Sequence, residues 1–446
     1  MMRMTPVSFY LVTDTHYFEP SLGAEGKAFD DYMRSELYFV KESSAIVKAV
    51  FDRIAEDKET DIVIIPGDLT KNGEKESHRS FVKELRRLKD SGKKVFVITA
   101  GHDYNDSPCA YRGGERVPVE GTKFEELHDI YYEFGLADAL AVDEATNSYM
   151  AEISPGVRML ALCCDSPAND KGRIDERLTG WAQAQLDDAK AANAFVFAIC
   201  HYPIIPPAPV FDLVGDAKVR DWRTVASFLA DNGVELAFTG HMHIQSINEF
   251  RSEKGNRLID VCTSTLVGSP AKYRKITVGE HGELGIRSLD VPDFGWDTGG
   301  LTVKEYFDKR GRDGILGKVD RALSSGKGFA KFGKKAGKKI FHSVKLGTVA
   351  RLLWIRIDKS LKKQRLYDAA GDVGLAIFEG DRPYVPGTPL YDALAKALRR
   401  LGFILHKVEP KLSKGGRQVD LTDMLLNTVG SNNPYSDQDA DFELKH

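Results

Sequence analysis

Between Ser8 and Asp290 short apolar runs alternate with longer amphipathic stretches. The runs are Phe9–Val12, Ile62–Ile65, Val95–Ile98, Met159–Leu162, Phe195–Ile199 and Leu236–Phe238. They are short and mostly β-branched or aromatic, as buried sheet strands are. Ser44–Glu56, Lys75–Lys89, Thr179–Ala192 and Trp222–Asp231 carry helical periodicity between them. Such alternation limits the chain to an α/β arrangement. After Gly240 the texture changes. Ile244–Phe250, Leu258–Val261, Tyr273–Val278 and Leu284–Leu289 follow closely and predict consecutive antiparallel strands that close the domain. The Gly- and Pro-containing stretch Tyr104–Phe124 reads as a long loop beside the site the strands build.

Pro, Gly and Asp cluster at Pro292–Gly300, which predicts a boundary. The expected organisation is a catalytic domain over 1–295, a basic, mostly helical domain over 296–430, and a loose polar tail over 431–446. Helical patterns fall at Val303–Arg310, Leu346–Arg365, Leu390–Leu401 and Leu421–Val429. The 446 residues are 42% hydrophobic and 28% charged, which excludes a disordered chain or a coiled-coil rod. A formal net charge of -3 excludes a global polycation. Lys318–Arg365 is nonetheless strongly basic. A solvated helix face is the plain reading, and contact with nucleic acid or a membrane surface is the other. Phe329, Phe332, Phe341 and Trp354 within it read as core residues. Five cysteines, none in a CxxC pair, argue against a disulfide framework or zinc knuckle. The N-terminal apolar run meets Asp14 too soon for a signal peptide or a span, so a cytoplasmic protein is expected.

The chemistry lies just past the strands. Asp14-Thr15-His16, Gly67-Asp68, Gly101-His102-Asp103, Cys200-His201 and Gly240-His241-Met242-His243 each follow a run. Ligand sites of open α/β sheets lie at such strand ends. A single histidine there is usually structural. Five of the chain's eleven histidines in such turns are hard to explain by packing. Imidazole with carboxylate and no thiolate suits Mn, Fe or Zn rather than a structural zinc. No P-loop, Rossmann fingerprint or Gly-x-Ser-x-Gly elbow occurs, which removes kinases, dehydrogenases and serine hydrolases.

In order and residue type these signatures resemble the calcineurin-like metallophosphoesterase superfamily, over roughly Ser8 to Leu289. With the helical region beyond Gly300, the chain is similar to bacterial class III cyclic-nucleotide phosphodiesterase-like proteins. The resemblance implies a four-layer αββα sandwich of two mixed sheets with a dinuclear metal site at one edge. It implies that Asp14, His16 and His243 hold one metal, that His201 and His241 hold the other, and that Asp68 bridges them. His102 would stand beside the scissile phosphate, with Asp103 orienting its ring. Two divalent or trivalent ions would supply a bridging hydroxide as nucleophile. The expected substrate is a cyclic nucleotide or similar small phosphodiester. A phosphomonoesterase, a nuclease using the basic region and a non-catalytic scaffold are the alternatives.

One position departs from the superfamily pattern: Gly101 stands where asparagine is usual and has no side chain to offer a metal. Asn105 and Asp106, in the following loop, are the nearest replacements. Asn72 is a candidate for the substrate phosphate, and Tyr104, Arg112 and Tyr202 for the pocket wall. His78, within a helical pattern, is expected at the surface, and Cys200 as a small buried hydrophobe.

Overall fold

The computed structural model describes residues 5–34, 36–325, 334–413, 419–431 and 433–445. Fifteen strands occur among them. These are β1 (Val7–Leu11), β2 (Ile62–Pro66), β3 (Lys94–Ile98), β4 (Cys109–Arg112), β5 (Glu115–Pro118), β6 (Ala139–Asp143), β7 (Ser148–Ser154), β8 (Val157–Leu162), β9 (Phe195–Cys200), β10 (Leu236–Thr239), β11 (Ser246–Arg251), β12 (Arg257–Cys262), β13 (Lys272–Val278), β14 (Glu283–Asp290) and β15 (Ala440–Glu443). One sheet runs β15-β14-β13-β1-β2-β3 and the other β11-β12-β10-β9-β8-β7-β6. Both are mixed: β1, β2 and β3 are parallel, as are β8, β9, β10 and β12, while β13–β15 and β6–β7 are antiparallel.

Strand side chains alternate between faces, and this alternation builds the layers. Phe9, Leu11, Ile62, Ile64, Phe96 and Ile98 point to the second sheet and meet Phe197, Ile199, Phe238 and Ile259. Tyr10, Val12, Val63, Ile65, Val95 and Val97 point outward, under Ile46, Val47 and Phe51 of helix Ser43–Glu56 and Phe81 and Leu85 of helix Lys75–Asp90. On the far side Leu160, Val196 and Ala198 meet Leu178, Leu186, Val225 and Leu229 of two further helices. The result is the four-layer αββα sandwich, α/β in class, followed by a mostly helical region.

Several expectations change. The strands after Gly240 are not one meander: β11 and β12 close the second sheet, whereas β13 and β14 extend the first. The stretch expected as a loop from Tyr104 contains the hairpin β4–β5. The helical pattern at Leu346–Arg365 is an α-helix only over Leu346–Leu352, with a short 3-10 helix at Ser360–Lys363. Trp354 then takes a left-handed φ of 56° and stands 87% exposed, so it is not a core residue. Lys327, Lys331, Phe329 and Phe332 lie outside the described residues. The chain end is not loose. β15 pairs with β14, with Ala440 and Leu444 in the inter-sheet core. Buried Arg274 donates to the carbonyl oxygens of Asp437 at 2.9 Å and Gln438 at 2.8 Å, tying that segment down. Among the described residues no helix is long and apolar enough to cross a membrane.

Candidate metal centre

The parallel strands of both sheets end at one edge. β1 delivers Asp14 and His16 there, β2 Asp68, β3 His102, β9 His201, and β10 His241 and His243. The turns are tightly wound. Among the described residues, five of the eleven non-glycine residues with positive φ are Asp14, His16, Asp68, His241 and His243. Asp and His tolerate this region better than β-branched residues. Such strain persists where the surroundings over-determine it, as at functional sites. Backbone bonds hold the turns together: Asp14 N–H donates to Gly67 O at 3.3 Å, His16 N–H to Asp68 O at 3.0 Å, and Gly240 N–H to His201 O at 2.9 Å. Gly240 is needed for close approach, since a Cβ there would sit 2.4 Å from Asp14 Oδ2.

The potential ligand atoms form two groups. Those of Asp14, His16 and His243, and those of Asp68, His201 and His241, each lie within 4.8 Å of one another. Asp68 Oδ2 stands 3.0 Å from His201 Nε2 and 3.9 Å from His16 Nε2, so it faces both groups. His201 Nδ1 donates to the Pro66 carbonyl at 2.9 Å, which leaves Nε2 as the nitrogen that faces Asp68. His16 Nε2 and His243 Nε2 are 3.1 Å apart. His16 Nδ1 and His201 Nε2 are buried without a hydrogen-bond partner. His241 Nε2 donates to the Asp216 carbonyl at 2.6 Å, and its ring stacks on Tyr202 with centroids 3.8 Å apart.

The charges are consistent with this geometry. Burial would raise the Asp14 and Asp68 carboxyls, but His201 and neighbouring imidazoles outweigh it, holding Asp14 to about 2 and Asp68 well below the usual carboxylate range. Burial keeps His16 well below, and His241 at about 4, so both rings are neutral near pH 7. His201 is the exception: burial lowers it, yet Asp68 and Asp14 outweigh burial and raise it to about 10. The spot between these carboxylates favours positive charge. Neutral His16 and His241, ionised Asp14 and Asp68, and a His201 that keeps its proton only because those carboxylates favour positive charge fit a pair of metal ions that would take that proton's place.

A family model for the calcineurin-like phosphoesterase matches residues 7–245. The chain belongs to the calcineurin-like phosphoesterase family. Metal-dependent hydrolysis of phosphoesters is the chemistry of that family, and the two ligand groups imply a dinuclear centre. A comparison with curated proteins finds no match. Among solved structures, a dimetal phosphatase from Danio rerio matches at 13% identity and a TM-score of 0.46, over 64% of this chain and 97% of its own. A purple acid phosphatase from yellow lupin (Lupinus luteus) matches at 13% identity and 0.41, over 65% of this chain. A protein described as a 5'-nucleotidase from Staphylococcus aureus matches at 13% identity and 0.39, over 72% of this chain. The chain spans 52% of the lupin protein and 59% of the Staphylococcus one.

Around the family site several sequence expectations are corrected. His102 is oriented not by Asp103 but by Lys71, whose carbonyl accepts from Nδ1 at 2.7 Å. The Asp103 carboxylate accepts instead from the backbone N–H of Thr70 and Ala100, each at 2.9 Å, and so pins the β2 and β3 turns together. His78 is buried, not at the surface, between the Tyr131 hydroxyl at 2.6 Å and the Asp103 carbonyl at 2.8 Å. Asn105 Oδ1 accepts from Ser107 N–H at 2.9 Å and Asp106 is exposed, so neither replaces a side chain at 101. Arg112 turns to the Ser21 carbonyl, 3.4 Å away. Asn72 N–H donates to Glu74 Oε2 at 3.1 Å. Cys200 is buried, as expected, with its sulfur 3.3 Å from that of Cys164. Asp165, three residues past β8, went unnoticed in the sequence, where two cysteines and no histidine precede it.

Proposed function

We infer that the chain is a phosphodiesterase acting on a cyclic nucleotide or similar small phosphodiester. Asp14, His16 and His243 would hold one metal ion, His201 and His241 the other, and Asp68 would be shared between them. The observation that carries the dinuclear reading is Asp68 Oδ2, which faces His201 and His16 at once. The donor set suits Mn, Fe or Zn. The preference for a diester rests on the sequence resemblance.

When bound, the ions screen the phosphate oxygens and acidify an attacking water. The protein does the rest. With Nδ1–H fixed on the Lys71 carbonyl, the other nitrogen of the half-buried His102 ring is not committed to that bond. When the ring carries its second proton, that nitrogen serves to donate it to the leaving oxygen or to donate a hydrogen bond to phosphate. The His102 backbone N–H donates to Asp68 Oδ1 at 3.1 Å, so the acid and the shared carboxylate move as one piece. Asp103 is a positioning residue. Asn72, next to Lys71, is the residue we assign to the substrate phosphate.

The test pairs metal content with hydrolysis of bis(p-nitrophenyl) phosphate and p-nitrophenyl phosphate under added Mn²⁺. Two metals per chain with faster diester cleavage is the expected result. Faster monoester cleavage would make it a phosphatase. One metal or none, with no turnover under excess Mn²⁺, would leave a scaffold.

A further inference from the structure

Asp165 is a carboxylate 4% exposed, and its Oδ1 has no hydrogen-bond partner. Leaving a charged oxygen buried and unpartnered is costly, and such groups in native structures mark an ion or a function. Its position is specific. β8 and β9 are parallel with Leu162 opposite Cys200, so Asp165 and His201 leave neighbouring strands at the same edge. Oδ2 accepts from the Tyr202 hydroxyl at 3.4 Å, and the ring of Tyr202 covers His241. The carboxylate is thus tied to Tyr202, which follows His201 and stacks on His241, and it lies outside the group of atoms within 4.8 Å of one another.

Gly101 makes room for it. A Cβ at 101 would sit 2.4 Å from Asp165 Oδ2 and 3.2 Å from its Cγ. The φ of Gly101 is outside the left-handed region, so glycine is required here for space rather than for backbone freedom. Standard bond lengths put an asparagine amide oxygen about 2.4 Å from its own Cβ. Asp165 Oδ2, the oxygen that accepts from Tyr202, therefore stands at the distance an asparagine oxygen would lie from a Cβ at 101, with the unpartnered Oδ1 3.6 Å from that Cβ. The next residue along, His102, donates its N–H to Asp68.

We propose that Asp165 is a further ligand of the second metal, with Asp68, His201 and His241, taking the place of a side chain at 101. This rests on the dinuclear reading above. Burial, with Asp68 adding to it, pushes the Asp165 carboxyl up, and His201, Lys171 and the Gly101 backbone N–H work against it. A cation there would neutralise it. Asparagine at 101 and aspartate at 165 are then mutually exclusive solutions to one coordination need.

The experiment is Mn²⁺ binding by the full chain, read by calorimetric titration and metal content, with no activity assay needed. Wild type is compared with Asp165→Ala, Asp165→Asn, Gly101→Asn and the double variant Gly101→Asn with Asp165→Gly. The expected result is two ions on wild type. Asp165→Ala and Gly101→Asn should each keep one ion and bind the second at least about tenfold more weakly. The double variant should regain it. Two ions bound to Asp165→Ala as tightly as to wild type would overturn the assignment while leaving the dinuclear reading intact. Fewer than two ions on wild type would overturn both. Melting of the metal-free proteins separates a packing role: a lowered midpoint for Asp165→Asn with both ions retained also overturns the assignment.

Discussion

The Nδ1 atom of His102 lies 2.7 Å from the carbonyl oxygen of Lys71. A carbonyl only accepts, so this bond fixes the proton on Nδ1 and leaves the other ring nitrogen for substrate. His102→Ala should therefore lower turnover by about 10²- to 10⁴-fold, the range for loss of a general acid. Metal content should stay at the wild-type value, because no ligand is removed. Parallel kinetics and metal analysis check this, and loss of metal with turnover would move His102 into the ligand set.

Asp68 belongs to the second ligand group, 3.0 Å from His201, and its Oδ2 also stands 3.9 Å from His16 of the first. Ligand linkage raises folding stability by about 2.7 kcal/mol when a metal is at a hundred times its Kd. Wild type should therefore melt higher as Mn²⁺ is added. Asp68→Asn should show little or none of that rise, since both sites lose their shared anion. Thermal melts over a Mn²⁺ series give the answer directly. An undiminished rise in the variant would count against Asp68 as the bridge.

Much of this centre was legible because strand ends carried it. Asp14, Asp68, His102, His201, His241 and His243 follow apolar runs that become β1, β2, β3, β9 and β10, and strand periodicity places their turns at one edge. Asp165 was not legible. It follows β8 with no histidine beside it, and its meaning depends on the space left by Gly101, sixty-odd residues away in sequence and adjacent only after folding. His78 was misread for a related reason. Helical periodicity gives a face, but not that Tyr131 and the Asp103 carbonyl lie against it. The division of β11–β14 between two sheets is likewise tertiary, because each strand alone reads as half-buried and antiparallel in either place. The polar end of the chain concealed β15 because its partners, β14 and the Arg274 guanidinium, lie far upstream.

Arg274 is fully buried and makes five hydrogen bonds. Two of them hold the Asp437 and Gln438 carbonyls that lead into β15. Arg274→Met keeps the bulk and removes all five donors. Hydrogen bonds to charged groups are each worth about 1.5–3 kcal/mol, and the carbonyls left behind are buried. The expected loss is on the order of 3 kcal/mol or more in urea unfolding. Hydrogen exchange should quicken over residues 437–443 before the rest of the sheet. Uniform exchange across the first sheet would show that Arg274 supports the core rather than the chain end.

Two buried groups should give opposite pH dependences of stability. His78 donates from Nε2 to the Asp103 carbonyl and accepts on Nδ1 from Tyr131, so its neutral ring is fully used. Burial lowers its pKa to about 4. The unfolded chain then takes up a proton that the native state refuses, and the stability His78 contributes is present above about pH 6.5 and lost as pH falls toward 4. Asp260 runs the other way. Burial raises it to about 7 against the N–H of Ile205 and the Thr239 hydroxyl. The native state keeps a proton the unfolded chain releases, so stability falls as pH rises from about 4 to 7. Each proton contributes a slope of at most about 1.4 kcal/mol per pH unit. His78→Gln should flatten the acid loss, and Asp260→Asn should flatten the decline toward neutrality. Metal-free urea melts at closely spaced pH values test both, and equal slopes in wild type and either variant would remove that group from the account.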